Sequence, residues 1–509
     1  MKQIIYTFSF LFLITLAIAC SNQNKETKTT QEGEKLAAVY CQSCHLLPNP
    51  NLLTKNLWQN HVLPKMGHFM GIYQNDTMRN SLIENNEGGR KVVVASVFPE
   101  KPMLTNEEWL AIQAYYIENA PDSFNIPLKK INAQTSLFTA IIPPNKFSPP
   151  STTLLKFNAE GGLYFGDANT MQFLKLKKDF SIQLGAEIEQ GAVCVNENES
   201  NLWVTVMGSF SPTDNPLGLL VKLPKNGKTG AKIEIENLQR PVHTSMYDMN
   251  ADGMNDFVIS EFGKFTGALS LFTQQKNGTF TKQILWAKPG ATKTQIIDMN
   301  NDGKPDIVAL FAQADEGIDV YYNLGNNKYE RKRLISFPPS YGSTNFSLID
   351  LNNDKHLDIV YTCGDNADFS MILRPYHGIY YYLNNGKEEF KQSFFYPLNG
   401  AYNAKIADYD KDGDLDIAAI SFFPDWVNSP NESFVYLNNK GNNEFEASSF
   451  AEVNKGRWIL LDEADYDGDG DLDLALGSLV MEVVPNIGIE KQWIKDGIPF
   501  VILQNNLNK

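Results

Sequence analysis

Residues 297–310, IDMNNDGKPDIVAL, and residues 407–420, ADYDKDGDLDIAAI, are two copies of one pattern. The pattern is Asp-x-[Asp/Asn]-x-Asp-Gly-x-x-Asp, and it starts at Asp248, Asp298, Asp350, Asp408 and Asp465. Each copy is flanked by short apolar segments, such as FVIS (257–260), IVAL (307–310) and IAAI (417–420). Oxygen ligands at positions 1, 3, 5 and 9 can wrap one hard cation, with a carbonyl at position 7 and a glycine at position 6 for the sharp bend. Calcium suits such a loop better than magnesium, which demands strict octahedral geometry and gives up water reluctantly. A single Asp-Gly loop could be an ordinary solvated turn. Five in register argue against that.

The expected calcium ligands are therefore Asp248, Asn250, Asp252 and Asp256, then Asp298, Asn300, Asp302 and Asp306. The third set is Asp350, Asn352, Asp354 and Asp358; the fourth is Asp408, Asp410, Asp412 and Asp416; the fifth is Asp465, Asp467, Asp469 and Asp473. Lys355 replaces the glycine of the third copy, so that loop is expected to bind weakly or not at all. Four to five calcium ions are anticipated.

The loops are too short for EF-hands, which also need helices on both sides. They resemble FG-GAP or VCBS repeats, the blade family of integrin-α-like propellers. The remainder of each repeat agrees. A β-rich segment ending in an Asn/Gly turn recurs at 269–280, 319–330, 379–390 and 434–445, followed by an outer strand. Four strands per unit of about 50 residues make a propeller blade. LYFGDANTMQFLKL (163–176) and LWVTVMG (202–208) with GLLVKLP (218–224) read as two further blades without metal, giving seven. The last segment, FVILQNNLNK (500–509), stops where its siblings continue to a fourth strand, and SLFTAIIPP (136–144) is the candidate to complete it. Such closure would remove the open edges of the ring.

CQSCH at 41–45 is Cys-x-x-Cys-His, the attachment signature of a c-type haem. Two thiols, Cys41 and Cys44, would add to the porphyrin vinyl groups, with His45 as proximal ligand. A thioredoxin-like pair would need a preceding βαβ pattern, whereas Glu34 to Tyr40 reads as a short helix. A zinc site would need a second cysteine pair, which the sequence does not have. The stretch TNEEWLAIQAYYIENAP (105–121), with Thr105 as N-cap and aromatics at helical spacing, resembles the terminal helix of a small monohaem cytochrome c. The resemblance covers about residues 33–125. That family usually shows Met-Pro ahead of this helix, and here Phe98-Pro99 stands instead. The sixth haem ligand is assigned to Met66, with Met70, Met103 and His68 as competitors.

The N-terminus combines Lys2, an apolar run from Ile4 to Ile18, and Ala17-Ile18-Ala19 before Cys20. This is the order of a secretory signal, and it resembles a bacterial lipobox with Ala17 where Leu is preferred. The resemblance implies cleavage before Cys20, lipid on Cys20, and a chain anchored to a bacterial membrane, periplasmic or at the cell surface. Cys194 and Cys363 could pair with each other or stay as buried thiols.

The expected organisation is a signal peptide (1–19), a tether (20–33), a small all-α cytochrome c domain (34–125) and a mainly-β seven-bladed propeller (135–509). The net charge of −15 argues against nucleic acid as a partner. Electron transfer through one covalent haem c, with the propeller docking a redox protein or binding a ligand, is the leading expectation. A glycan-binding adhesion lipoprotein and a propeller oxidoreductase with the cytochrome as electron exit are the alternatives. Six histidines, three of them before residue 70, leave too few for a His-rich catalytic metal centre in the propeller. Long connections after the second strands, at 362–378 with Arg374, Tyr376 and His377, at 421–433 with Phe422, Phe423 and Trp426, and at 479–499 with Trp493, are candidates for a binding face or for packing over the blades.

Overall fold

The computed structural model describes residues 30–509 except 130, 133, 190, 228–229, 368–371, 442, 481–484 and 509, and except the side chain of Asp76. The expected signal peptide and Cys20 lie outside the described residues. Two compact units emerge. One comprises residues up to Ile83 together with Ser96–Phe124; the other comprises Glu84–Ala95 and Asn125–Lys509.

In the first unit all regular structure among the described residues is helical. A helix through residues 30–40 ends in a tight turn at Cys41–Ser43. Its Gly33 lies so close to Ala111 that a Cβ there would stand 2.0 Å from the Ala111 carbonyl oxygen. The terminal helix Asn106–Asn119 opens with a capping box, in which Thr105 and Glu108 satisfy each other's backbone N–H. Between them runs a helical stretch from Lys55 to Phe69 with a π turn at Trp58–Val62. Pro64 has no N–H to donate, and Leu63 N–H reaches back to the Trp58 carbonyl, so the wider turn carries the chain past the proline. Trp58 sits at the centre of this unit's core, its ring 4.3 Å from Tyr116 and its Nε1–H donated to the Pro50 carbonyl.

The second unit is seven four-stranded antiparallel sheets. Blade one spans Thr152–Glu187, blade two Ala192–Leu238, blade three Pro241–Trp286 and blade four Ala291–Ser336. Blade five spans Ser343–Pro397, blade six Ala401–Ser448, and blade seven begins at Trp458. The first strands touch in sequence around the ring, and the strand of blade seven returns to that of blade one. Blade seven draws its outer strand from Phe138–Ile141, which pairs antiparallel with Phe500–Asn505, Phe138 opposite Asn505. The expected closure is thus observed. Second strands such as Asp306–Phe311 are wholly buried, because both faces are covered by neighbouring blades. Val308, Leu310, Ile318 and Val320 of blade four pack on Phe346, Ile359, Tyr361 and Tyr380 of blade five. One feature is common to all seven blades and was not read from the sequence: a bulge at the second residue of each first strand.

Candidate functional sites

Each Asp-rich loop joins the first and second strands of blades three to seven, and all five share one backbone design. The first aspartate folds back on the loop. In blade three, Asp248 accepts from Asp252 N (3.1 Å) and Gly253 N (2.7 Å). In blade six, Asp408 accepts from Asp412 N and Gly413 N, both at 3.1 Å. Two residues per loop are left-handed, at positions 4 and 6: Ala251 and Gly253, Asn301 and Gly303, Asn353 and Lys355, Lys411 and Gly413, Gly468 and Gly470. Lys355 takes φ +71 where its siblings have glycine, and its N–H still reaches Asp350 at 2.8 Å. The third loop therefore keeps the shape of the others despite its substitution.

The ninth residue has a structural role beyond the expected ligation. Asp256, Asp306, Asp358, Asp416 and Asp473 are fully buried. One carboxylate oxygen of each accepts the N–H of loop position 2, as in Met299 N to Asp306 at 2.9 Å. The other accepts the N–H of the last residue of the third strand: Gln274, Asn323, Asn384, Asn439 or Asn505, each at 2.8 Å. Burial pushes these carboxyls above the usual range, with neighbouring loop carboxylates adding to it against the N–H donors; Asp256 and Asp473 reach about 6. The Asn that ends the third strand in four of the five blades was the sequence signal for this clasp. Its side chain also bonds to the backbone, Asn323 Nδ2–H to the Met249 carbonyl and Asn505 Nδ2–H to the Tyr409 carbonyl, both at 2.9 Å.

Ligand oxygens converge in the last two loops. Carboxylates of Asp408, Asp410 and Asp416, and of Asp465, Asp467 and Asp473, each gather within 4.8 Å. The donor sets suit a hard cation. In the first three loops Asn250, Asn300 and Asn352 hold the third position, so an amide oxygen replaces one charge. Lys304 pairs with Asp302 at 2.7 Å in the second loop. Beside the fourth loop, a groove of about 500 Å³ lies between the closing strand and blade six, with Asp410, Tyr436, Asn438, Glu446 and Asn506 on its walls.

The long connections resolve toward packing for most of the residues named above. Phe422, Phe423, Arg374, His377 and Trp493 are all buried. The Arg457 guanidinium lies 3.6 Å from the Phe422 ring centroid, and Trp493 donates Nε1–H to Asn454 while meeting Trp426 edge-on. Cys194 and Cys363 are free thiols.

In the helical unit, Cys41 and Cys44 are also free thiols at the turn that ends the first helix. Burial pushes the Cys41 thiol up to about 11, beside the Tyr116 hydroxyl. His45 Nδ1 lies 2.9 Å from the Leu46 carbonyl. A carbonyl can only accept, so Nδ1 is the donor in this contact and Nε2 is left for another partner. Two unpaired thiols beside an imidazole with a free Nε2 fit covalent haem. Met66 is half-buried on the helix Leu63–Phe69; Met70, buried, accepts the backbone N–H of Met103, which is itself exposed. Phe98, in place of the family's methionine, is buried and stacks on Phe69 at 5.4 Å.

The FG-GAP-like repeat family matches residues 248–309 and 298–361, the third and fourth blades with the start of the fifth. No curated protein matches the chain. Among solved structures, a streptogramin B lyase is similar at 12% identity and TM-score 0.47, over 73% of this chain and 98% of that one. A catalytically inactive virginiamycin B lyase from Staphylococcus aureus with Quinupristin gives 11% and 0.44, over 72% and 98%. Saccharomyces cerevisiae Sqt1 gives 8% and 0.44, over 74% and 99%.

Proposed function

We propose that this chain is an exported, lipid-anchored electron-transfer protein. One covalent haem c is held by Cys41, Cys44 and His45, and a calcium-stabilised propeller docks the redox partner or recognises a ligand. The observation that carries the reading is the pair of free thiols at a helix end followed directly by an imidazole whose Nδ1 is anchored to its own backbone. The haem, when bound, supplies one-electron oxidation and reduction. Met66 would hold the group through its thioether, which would raise its potential relative to a second histidine. The protein's part is to hold the group: Trp58 and Tyr116 build an apolar wall, and the Gly33–Ala111 crossing fixes the helix that presents the thiols. Calcium, held by the four loops that keep their glycine and weakly if at all by the third, anchors the turns that set first strand against second. Cys20 carries the lipid.

A haem stain after denaturing electrophoresis tests the central claim. Cys41→Ala with Cys44→Ala should abolish the stained band and leave a propeller that melts as before. A stained band surviving in the double variant sinks the haem assignment. Met66→Ala should remove the near-infrared thioether–ferric band; its persistence there and loss in Met70→Ala would move the axial ligand. Cys20→Ser should release the protein from membranes.

A further inference from the structure

Asn132 and the residues from Gln134 to Leu137 tie blade six to blade seven. Along the outer strand of blade six, Asn132 N–H donates to the Ala447 carbonyl (3.2 Å). Ser449 N–H donates to the Asn132 carbonyl (2.9 Å), and Thr135 N–H to the Ser449 carbonyl (2.7 Å). The chain then enters the closing strand Phe138–Ile141, where Asn506 N–H donates to the Leu137 carbonyl (2.8 Å). This crossing walls the groove of about 500 Å³ beside the fourth Asp-rich loop. Small-ligand sites span roughly 300–1,000 Å³, so the space is large enough for one.

The walls narrow what the groove can hold. Gln134, Thr135, Ser136, Ser448 and Asn506 contribute amides and hydroxyls, groups that both donate and accept. Among the charged residues on the walls, Lys440 offsets Glu446, and Asp410 belongs to the carboxylate triplet with Asp408 and Asp416. Groove and loop also share bonds. Asn438 donates Nδ2–H to Asp410 (2.7 Å), and the Tyr436 hydroxyl donates to Asp416 (2.7 Å), both residues lining the groove. Asn438 Oδ1 has no partner among the described residues. A shielded acceptor without a donor is unfavourable, and a ligand hydroxyl is the kind of group that supplies one.

We propose that this groove binds a small neutral saccharide, and that binding depends on the cation of the fourth loop. Sugar hydroxyls donate and accept, as the wall side chains do, so each can exchange its water for a wall group. Leu137 and Leu507 add apolar surface for the C–H face of a sugar ring. An anion would instead meet Asp410 and Glu446, and a cationic ligand would compete with the loop's own ion for Asp410. Calcium enters through Asp410 and Asp416, since the ion that gathers them also sets Asn438 and Tyr436. The proposal rests on the propeller recognising a ligand and on the fourth loop holding calcium; the haem takes no part.

An array of neutral mono- and oligosaccharides probed with the full-length, calcium-loaded protein tests it, followed by titration calorimetry with the best binder. Saturable binding of one saccharide per chain is expected, lost in chelator and restored by calcium. Gln134→Trp, which fills the groove from an exposed wall position, and Asn438→Ala should each weaken binding by about tenfold or more. Lys276→Ala, at an exposed turn of blade three, should leave it unchanged. Gln134 is exposed, so its variant stays informative even where Asn438→Ala fails to fold. Cys41→Ala with Cys44→Ala should bind sugar as the wild type does, which separates this test from that of the haem. No saturable binding to any sugar, while the calcium response of the melt persists, overturns the proposal and leaves the metal loops standing. Binding unaltered in Gln134→Trp overturns it too, by placing the sugar elsewhere. Binding confined to amino sugars and lost in Glu446→Gln would make the site one for cations and overturn the neutral class.

Discussion

Blades one and two turn from first to second strand without an Asp-rich loop; blades three to seven use one. Blade one makes the turn with Asn158, whose Oδ1 accepts Glu160 N–H and Gly162 N–H, both at 3.0 Å. Blade two uses Asn198 on Ser200 and Asn201 in the same way. All seven blades nonetheless have four strands and the same first-strand bulge. The nine-residue loop is therefore not needed to reverse the chain. What it adds is a buried aspartate that clasps the third strand and a cluster of carboxylates at the surface. The clasp is built into the covalent chain, while the cluster, in the last two loops, gathers three carboxylates within 4.8 Å, a donor set that suits a hard cation.

Chelation should separate the two groups of blades most strongly. At millimolar calcium a site with Kd near 0.1 mM stabilises by roughly 1.4 kcal/mol, so four intact loops contribute roughly 5 to 6 kcal/mol if independent. The calorimetric transition of the propeller should fall steeply in chelator, and that of the helical unit should hardly move. An unchanged trace would show that the loops hold no structural ion. Asp412→Ala and Asp469→Ala should each remove part of the calcium response.

The clasp comes next in size. Asp306→Ala strands a buried N–H group at Asn323 and a half-buried one at Met299, at about 1–3 kcal/mol each, and should cost about 2–5 kcal/mol with calcium present or absent. A loss that vanishes in chelator would make Asp306 a ligand and nothing more.

Acidity offers a third way to sharpen the contrast. The clasp carboxyls have folded pKa values raised above the unfolded range, with Asp256 and Asp473 at about 6. The folded state binds protons more tightly, so their contribution to stability is fully present below about pH 4 and is lost as pH rises through about 6. Calcium-free protein should thus melt higher at pH 5 than at pH 7. The opposite slope, measured by thermal melts in chelator, would contradict the burial assigned to these groups.

The smallest effect concerns Lys355. A left-handed non-glycine residue costs roughly 1–2 kcal/mol, so Lys355→Gly should stabilise the protein by about 1 kcal/mol in urea titrations. It should also make the third loop respond to calcium like its siblings. No change in stability would mean that the lysine side chain compensates for its backbone.

The blade repeat, the loop positions, the closing strand and the N-cap at Thr105 were legible in the amino-acid order, because each is a local pattern or a periodic one. A nine-residue motif recurring at near-constant spacing specifies its own turn, and a missing fourth strand at one end of the chain points to its substitute at the other. The Cys-x-x-Cys-His pattern is equally local: five consecutive residues carry both thiols and the imidazole. The second role of the ninth aspartate was half visible, since the Asn that meets it recurs but lies some 17 to 32 residues further on. The burial of Phe422, Phe423 and Trp493 was not visible, because aromatics in a long connection read alike whether they face water or a neighbouring blade. Least visible was the inner ring. Lys156, Lys293 and Lys405 sit in three separate blades, and nothing in their local sequence separates them from surface lysines. Only closure of seven first strands about one axis sets each of them against its neighbouring blade, Lys156 on the Val195 carbonyl, Lys293 on Asn345 and Phe346 and Lys405 on Asp462, so their partners belong to the tertiary structure, where residues far apart in the chain become neighbours.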